Sequence, residues 1–191
     1  MIWKLIKSIK STQSNAKFSY KKGLVKVQVI HVHDGDTIRV RMRGGKEERV
    51  RFLLVDTPEL SHPKKGKQPF GEEARLYARY KIYTSQVVEL GFDQEERDHY
   101  GRMLAYVYCD RQLLQEELVR RGLARVYYTR NRNETIVNRV REAQNEAKKN
   151  RRGIWSCEGY VSRNGYDPQA LGLLKRLFYT YRGKLLRSVF G

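Results

Sequence analysis

The sequence predicts an α+β fold in which a small barrel of five strands carries three helices. Three observations lead there. Five short segments show the two-residue alternation and β-branched content of strands, three show helical periodicity, and glycine-marked turns join neighbours closely enough for antiparallel hairpins. A length of 191 residues is enough for one good core and short of two full domains.

Taken in order, residues 24–32 and 37–42 read as strands, and residues 43–46 ("RGGK") as the hairpin turn that follows, because glycine tolerates the positive φ such turns need. Residues 50–55 form the returning strand. The stretch "HPKKGKQPFG" is a loop punctuated by Pro63, Gly66, Pro69 and Gly71. Residues 72–83 are predicted helical, with Ala74, Tyr77, Ala78 and Ile82 on one side. Two further strands span 86–92 and 102–108. A short helix over 113–121 stops at Gly122, and a longer, charged helix over 134–149 ends near Gly153. Barrels of this size with clustered loops commonly bind oligonucleotides.

Charge narrows the class of partner. The formal net charge is +18 and the pI about 10.0, more than solubility requires, and such a surface seeks nucleic acid or an anionic membrane face. The excess is uneven. Residues 1–22 hold six lysines and no acid, residues 158–191 carry +4, and the middle carries +8. The reading is a compact domain over 23–157 between two basic extensions, 1–22 and 158–191. Ile2, Leu5, Ile6 and Ile9 fall on one helical face of the first. Asp167–Pro168 caps a second stripe through Ala170, Leu174, Phe178, Tyr181 and Leu185. Docking on the barrel and lying on an anionic membrane are equal expectations for both. No run of 18 apolar residues is present, and Lys4 and Lys7 interrupt what a signal peptide would need as its apolar centre. Cys109 and Cys157 lack metal or redox spacing and are expected to be inert thiols.

In that basic chain, two acidic groups stand out. Asp34 and Asp36 break a strand at "HDGDT", and the returning strand ends in "VDTPE", with Asp56 and Glu59. A hairpin brings both to one end of a small sheet and pools hard oxygen donors of the kind Ca²⁺ prefers. Pooled carboxylates need a cation, an arginine or both. Arg51 leads into Asp56, and Arg102 follows the tight Tyr100–Gly101 turn. Two planar guanidinium forks beside a metal site suit a phosphate.

With "DGDT", "RFLLVDTPE", "HPKKG", "YGRMLAY", "LVRRGLARVYY" and "GIWS" in this order and spacing, the chain resembles the staphylococcal nuclease (thermonuclease) family from about Val25 to Ser156. The resemblance implies an OB-type, five-stranded Greek-key barrel with three helices. It implies a Ca²⁺-dependent endo- and exonuclease that cuts DNA and RNA to 3′-phosphates. Carried over by position, it makes Asp36 and Asp56 side-chain Ca²⁺ ligands and Thr57 a carbonyl ligand, with Asp34 acting one layer out. Glu59 is then the general base, and Arg51 and Arg102 the phosphate clamp. Tyr100 and Tyr128 contact the terminal nucleotide, and Lys64 and Lys65 lie on a loop beside the site.

The sequence departs from the family pattern twice. His99 stands where a lysine is usual, and Arg130 where a second tyrosine is usual, so Arg130 is expected to bind nucleotide through its guanidinium. Neither change removes a catalytic group. The rival reading is a non-catalytic nucleic-acid-binding module of the same fold, but degenerate copies lose the acids and arginines kept here. A membrane-surface adaptor is a third reading, resting on the extensions alone. No protein partner is implied. A Ca²⁺ requirement favours work outside the cell or on imported DNA, and the basic extensions favour a membrane periphery.

Overall fold

The computed structural model describes residues 23–61, 66–127, 132–173 and 178. The N-terminal extension and most of the stripe expected beyond Leu171 lie outside them.

Strands β1 (Val25–Lys26) and β2 (Gln28–Asp34) are one extended run interrupted at Val27, whose N–H donates to Val88 O at 3.0 Å. β2 pairs antiparallel with β3 (Thr37–Arg41), and β3 with β4 (Glu47–Phe52). β4 runs parallel to β7 (Met103–Cys109), which pairs antiparallel with β6 (Val88–Gly91). β6 pairs in turn with β1. Since β1 and β2 are the same run, the circuit closes into a five-stranded barrel of OB type, and closure removes open sheet edges. β5 (Val55–Asp56) pairs with β9 (Arg125–Val126), β8 (Gln112–Leu113) pairs antiparallel with the end of β7, and β10 (Val161–Ser162) forms a hairpin with β11 (Gly165–Tyr166). The helices are α1 (Gly71–Thr84), α2 (Leu114–Arg120) and α3 (Glu134–Lys149).

Alternation places the core. In β3 Ile38 and Val40 are buried while Arg39 and Arg41 are exposed, and in β4 Val50 and Phe52 point the same way inward. Ala78 and Ile82 of α1 and Val137, Val140 and Ala143 of α3 complete this cluster. Asn133 accepts a hydrogen bond from Ile136 N and so caps α3. Gly122 and Gly153, both at positive φ, meet backbone to backbone, and Gly122 O accepts from Ile154 N at 2.8 Å. A Cβ on either would lie 2.1 Å from a main-chain oxygen of the other's neighbourhood. Cys109 and Cys157 are free and buried, and burial pushes the Cys109 thiol up to about 11.

One expectation needs correcting, and one is decided between its two alternatives. The returning strand ends at Phe52 rather than Val55, because Leu54 takes a left-handed φ of 67° and turns the chain before β5. Residues 158–171 pack against the domain, which is the docking alternative expected for the second extension. Phe70, Ile154, Cys157, Tyr160, Tyr166 and Leu171 form a second core cluster, and Tyr160 donates to Pro69 O at 2.6 Å. The cap at Asp167 exists, accepting from Gln169 N, but it opens only the three-residue 3₁₀ turn Pro168–Ala170. Aromatic burial decides this segment, and its basic charge concealed that in the sequence.

Candidate active site

The β2–β3 turn holds the first carboxylates. Gly35 lets α1 press against it, since a Cβ there would sit 2.6 Å from Ala74 Cβ and 2.9 Å from Thr57 Cγ2. Asp36 is buried, and its oxygens are fixed by three hydrogen bonds from two residues. Oδ1 accepts from Thr37 Oγ1 at 3.1 Å, and Oδ2 from both Thr57 N and Thr57 Oγ1 at 2.8 Å. Thr57 therefore orients Asp36 with its amide and hydroxyl, a role the sequence did not reveal.

Arg51 stands between the two strand ends. Its Nη1 donates to Phe52 O and Val55 O, which anchors the left-handed turn. Its Nη2 lies 3.2 Å from Asp36 Oδ2 and 3.5 Å from Asp56 Oδ1. Asp34, Asp56 and Glu59 share one electrostatic problem. Burial and then the charge of Asp36 push the Asp34 and Asp56 carboxyls above the usual range. Glu59 is exposed as a whole residue, yet desolvation of its carboxyl group and the charges of Asp36, Asp34 and Asp56 push it up to about 7, with Arg51 opposing. Its main chain is tied to buried Gln68, which accepts from Glu59 N at 2.8 Å and donates its own N–H to Glu59 O.

Arg102 lies across from this group. Asp98 Oδ2 holds its Nε at 2.7 Å, and Asp98 Oδ1 accepts from its N–H. Arg51, Arg102, His99, Leu53, Leu54 and Tyr127 are among the residues lining one cavity of about 520 Å³. Tyr100 is 75% exposed, with the Arg102 guanidinium 5.4 Å from its ring centre. Tyr128, Arg130, Lys64 and Lys65 lie outside the described residues. Tyr127, not singled out in the sequence, lines the cavity.

Sequence reasoning also missed the support behind Asp56. Arg125 Nε donates to Asp56 Oδ2 at 2.8 Å, while its Nη1 donates to Ser162 O and Arg163 O in the β10–β11 hairpin. The buried Tyr166 hydroxyl donates to Asp56 O. Tyr166→Phe is expected to lower the unfolding free energy by about 1–3 kcal/mol by leaving that carbonyl without its donor. Urea denaturation measures it, and an unchanged midpoint would show that the hydroxyl does not hold the strand.

The donor set fits a hard cation. All donors are oxygens, and two carboxylates lie within 3.5 Å of one guanidinium nitrogen. Among the described residues no three Asp, Glu, His or Cys side chains form a metal cage. A cation here would therefore rest on two carboxylates, main chain, water and phosphate, which Ca²⁺ and Mg²⁺ both accept. The upward shifts of Asp34, Asp56 and Glu59 register negative crowding that such an ion would relieve.

A family model described as "Staphylococcal nuclease homologue" matches residues 49–157, so the packing to Leu171 continues past its end. Over 148 residues the chain is 43% identical to the endonuclease YncB of Bacillus subtilis, covering 77% of this chain and 69% of that one. It is 41% identical over 147 residues to the SPbeta prophage-derived endonuclease YokF of the same organism, covering 76% of this chain but 49% of the relative. It is 41% identical over 129 residues to the thermonuclease of Staphylococcus hyicus, covering 68% and 75%.

Proposed function

The chain belongs to the staphylococcal nuclease family, and from that premise we propose that it is a Ca²⁺-dependent nuclease hydrolysing DNA and RNA to 3′-phosphate ends. The observation that carries the reading is the convergence of Asp36 and Asp56 on Arg51, with Glu59 raised to about 7 beside them. Asp36, Asp56 and the Thr57 carbonyl would hold the ion. When bound, Ca²⁺ supplies positive charge to a non-bridging phosphate oxygen.

The chain's own groups supply the rest. Glu59 takes the proton of the attacking water. Arg51 and Arg102 stabilise the charge that grows on the phosphate oxygens, from positions fixed by two backbone carbonyls and by Asp98 respectively. Leu53, Leu54 and Tyr127 give the neighbouring nucleoside an apolar wall.

Plasmid and RNA digestion in Ca²⁺, Mg²⁺ and EGTA tests the proposal. Cleavage is expected in Ca²⁺, weak cleavage in Mg²⁺, which demands tighter octahedral geometry, and none in EGTA. Equal rates in the two metals would remove the Ca²⁺ assignment.

A further inference from the structure

On the outer face of the barrel, β2, β3 and β4 set His31 opposite Arg39 and Arg39 opposite Arg49. All three side chains are exposed. His33, on the same strand as His31, sits with its ring 4.6 Å from that residue's ring. After desolvation, its pKa is lowered by the charges of His31, Arg49 and Arg39, which places the four side chains in one patch.

Neighbouring arginines are balanced. Arg41 pairs with Glu47 at 2.8 Å, Arg97 with Glu48 at 2.8 Å, and Arg51 with Asp36. Among the described residues Arg39 and Arg49 have no ion-pair partner. Like charges directly opposite each other on a sheet destabilise it, so nothing in the fold accounts for this row. Its position does. Arg49 precedes Arg51 by two residues on the same face of β4, about 7 Å along the strand.

We propose that the outer face of β2–β4 is a track for the phosphodiester backbone, in which Arg49 and Arg39 bind phosphates beyond the one held by Arg51, and the strand passes toward His31. The proposal deepens the nuclease reading and rests on it for the identity of the polyanion. It makes the enzyme favour polymers over small phosphodiesters, since only a chain of phosphates spans both the clamp and the row.

The test uses the full-length Arg39→Gln/Arg49→Gln variant, whose changes are on the surface. With a single-nucleotide chromogenic phosphodiester in Ca²⁺, kcat/KM is expected to equal that of the wild type. With a 30-mer duplex KM is expected to rise about tenfold with kcat retained. In EGTA, where the duplex is bound but not cut, the slope of log K against log[salt] is expected to shrink by about 0.9 per arginine removed. Unchanged KM and slope for the duplex would overturn the track. Absence of cleavage by the wild type in any metal would instead sink the nuclease reading, and the slope in EGTA would still decide the track.

Discussion

Glu59→Gln is expected to lower kcat by roughly 10²–10⁴, the scale of a lost general base, with the fold intact. The backbone of residue 59 is held through Gln68 on both its N–H and its carbonyl, so the amide side chain inherits the position without the chemistry. A variant that turns over at the wild-type rate would remove Glu59 from the base role. The same substitution has a second signature in chelator. A carboxyl whose pKa rises from 4.5 to about 7 on folding contributes stability that is complete below pH 4.5 and lost as pH climbs through 7. Glutamine cannot ionise and keeps the neutral contribution. In EDTA, Tm of the variant should match the wild type at pH 4 and exceed it at pH 8.

Arg51→Lys is expected to cost 10²-fold or more in kcat/KM, on the scale of one lost oxyanion donor. Lysine keeps the charge but has no planar fork. Arg51 uses that fork twice, with Nη1 on Phe52 O and Val55 O and Nη2 between Asp36 and Asp56. Arg102→Lys should lose activity on a similar scale, but Arg102 is tied to Asp98 and lies over the ring of exposed Tyr100 rather than being anchored in the barrel. The two variants should therefore separate in thermal denaturation, with Arg51→Lys melting lower and Arg102→Lys close to wild type. Full activity in both would show that neither arginine clamps phosphate.

Most of the barrel was legible because its signals are local. Alternation in residues 37–41 and the turn at Gly44 and Gly45 need no distant partner, and α3 begins at its own cap. The acids and arginines of the site were legible as oddities, being carboxylates at strand ends in a basic chain. The supports were not. Gln68 holding Glu59, Thr57 holding Asp36 and Arg125 holding Asp56 are unions between distant segments, and nothing in the spacing of a glutamine or an arginine announces its partner. The turn at Leu54 was hidden because a leucine at φ 67° leaves no mark in composition. Tyr160 and Tyr166 were masked by the charge around them, although their burial is what joins residues 158–171 to the barrel.

The hairpin behind Asp56 also sets an order of events during synthesis. Arg125 is 69 residues after Asp56, and Tyr166 is 110 residues after it. A chain made at about 5–20 residues per second has released Asp36, Arg51, Glu59 and Arg102 several seconds before Tyr166 emerges. Until then Asp56 has neither the hydroxyl on its carbonyl nor the hairpin carbonyls that hold Arg125 in place. This end of the barrel is thus completed by the late part of the chain, and Asp56 passes the chain's stay on the ribosome, among RNA, still unbraced.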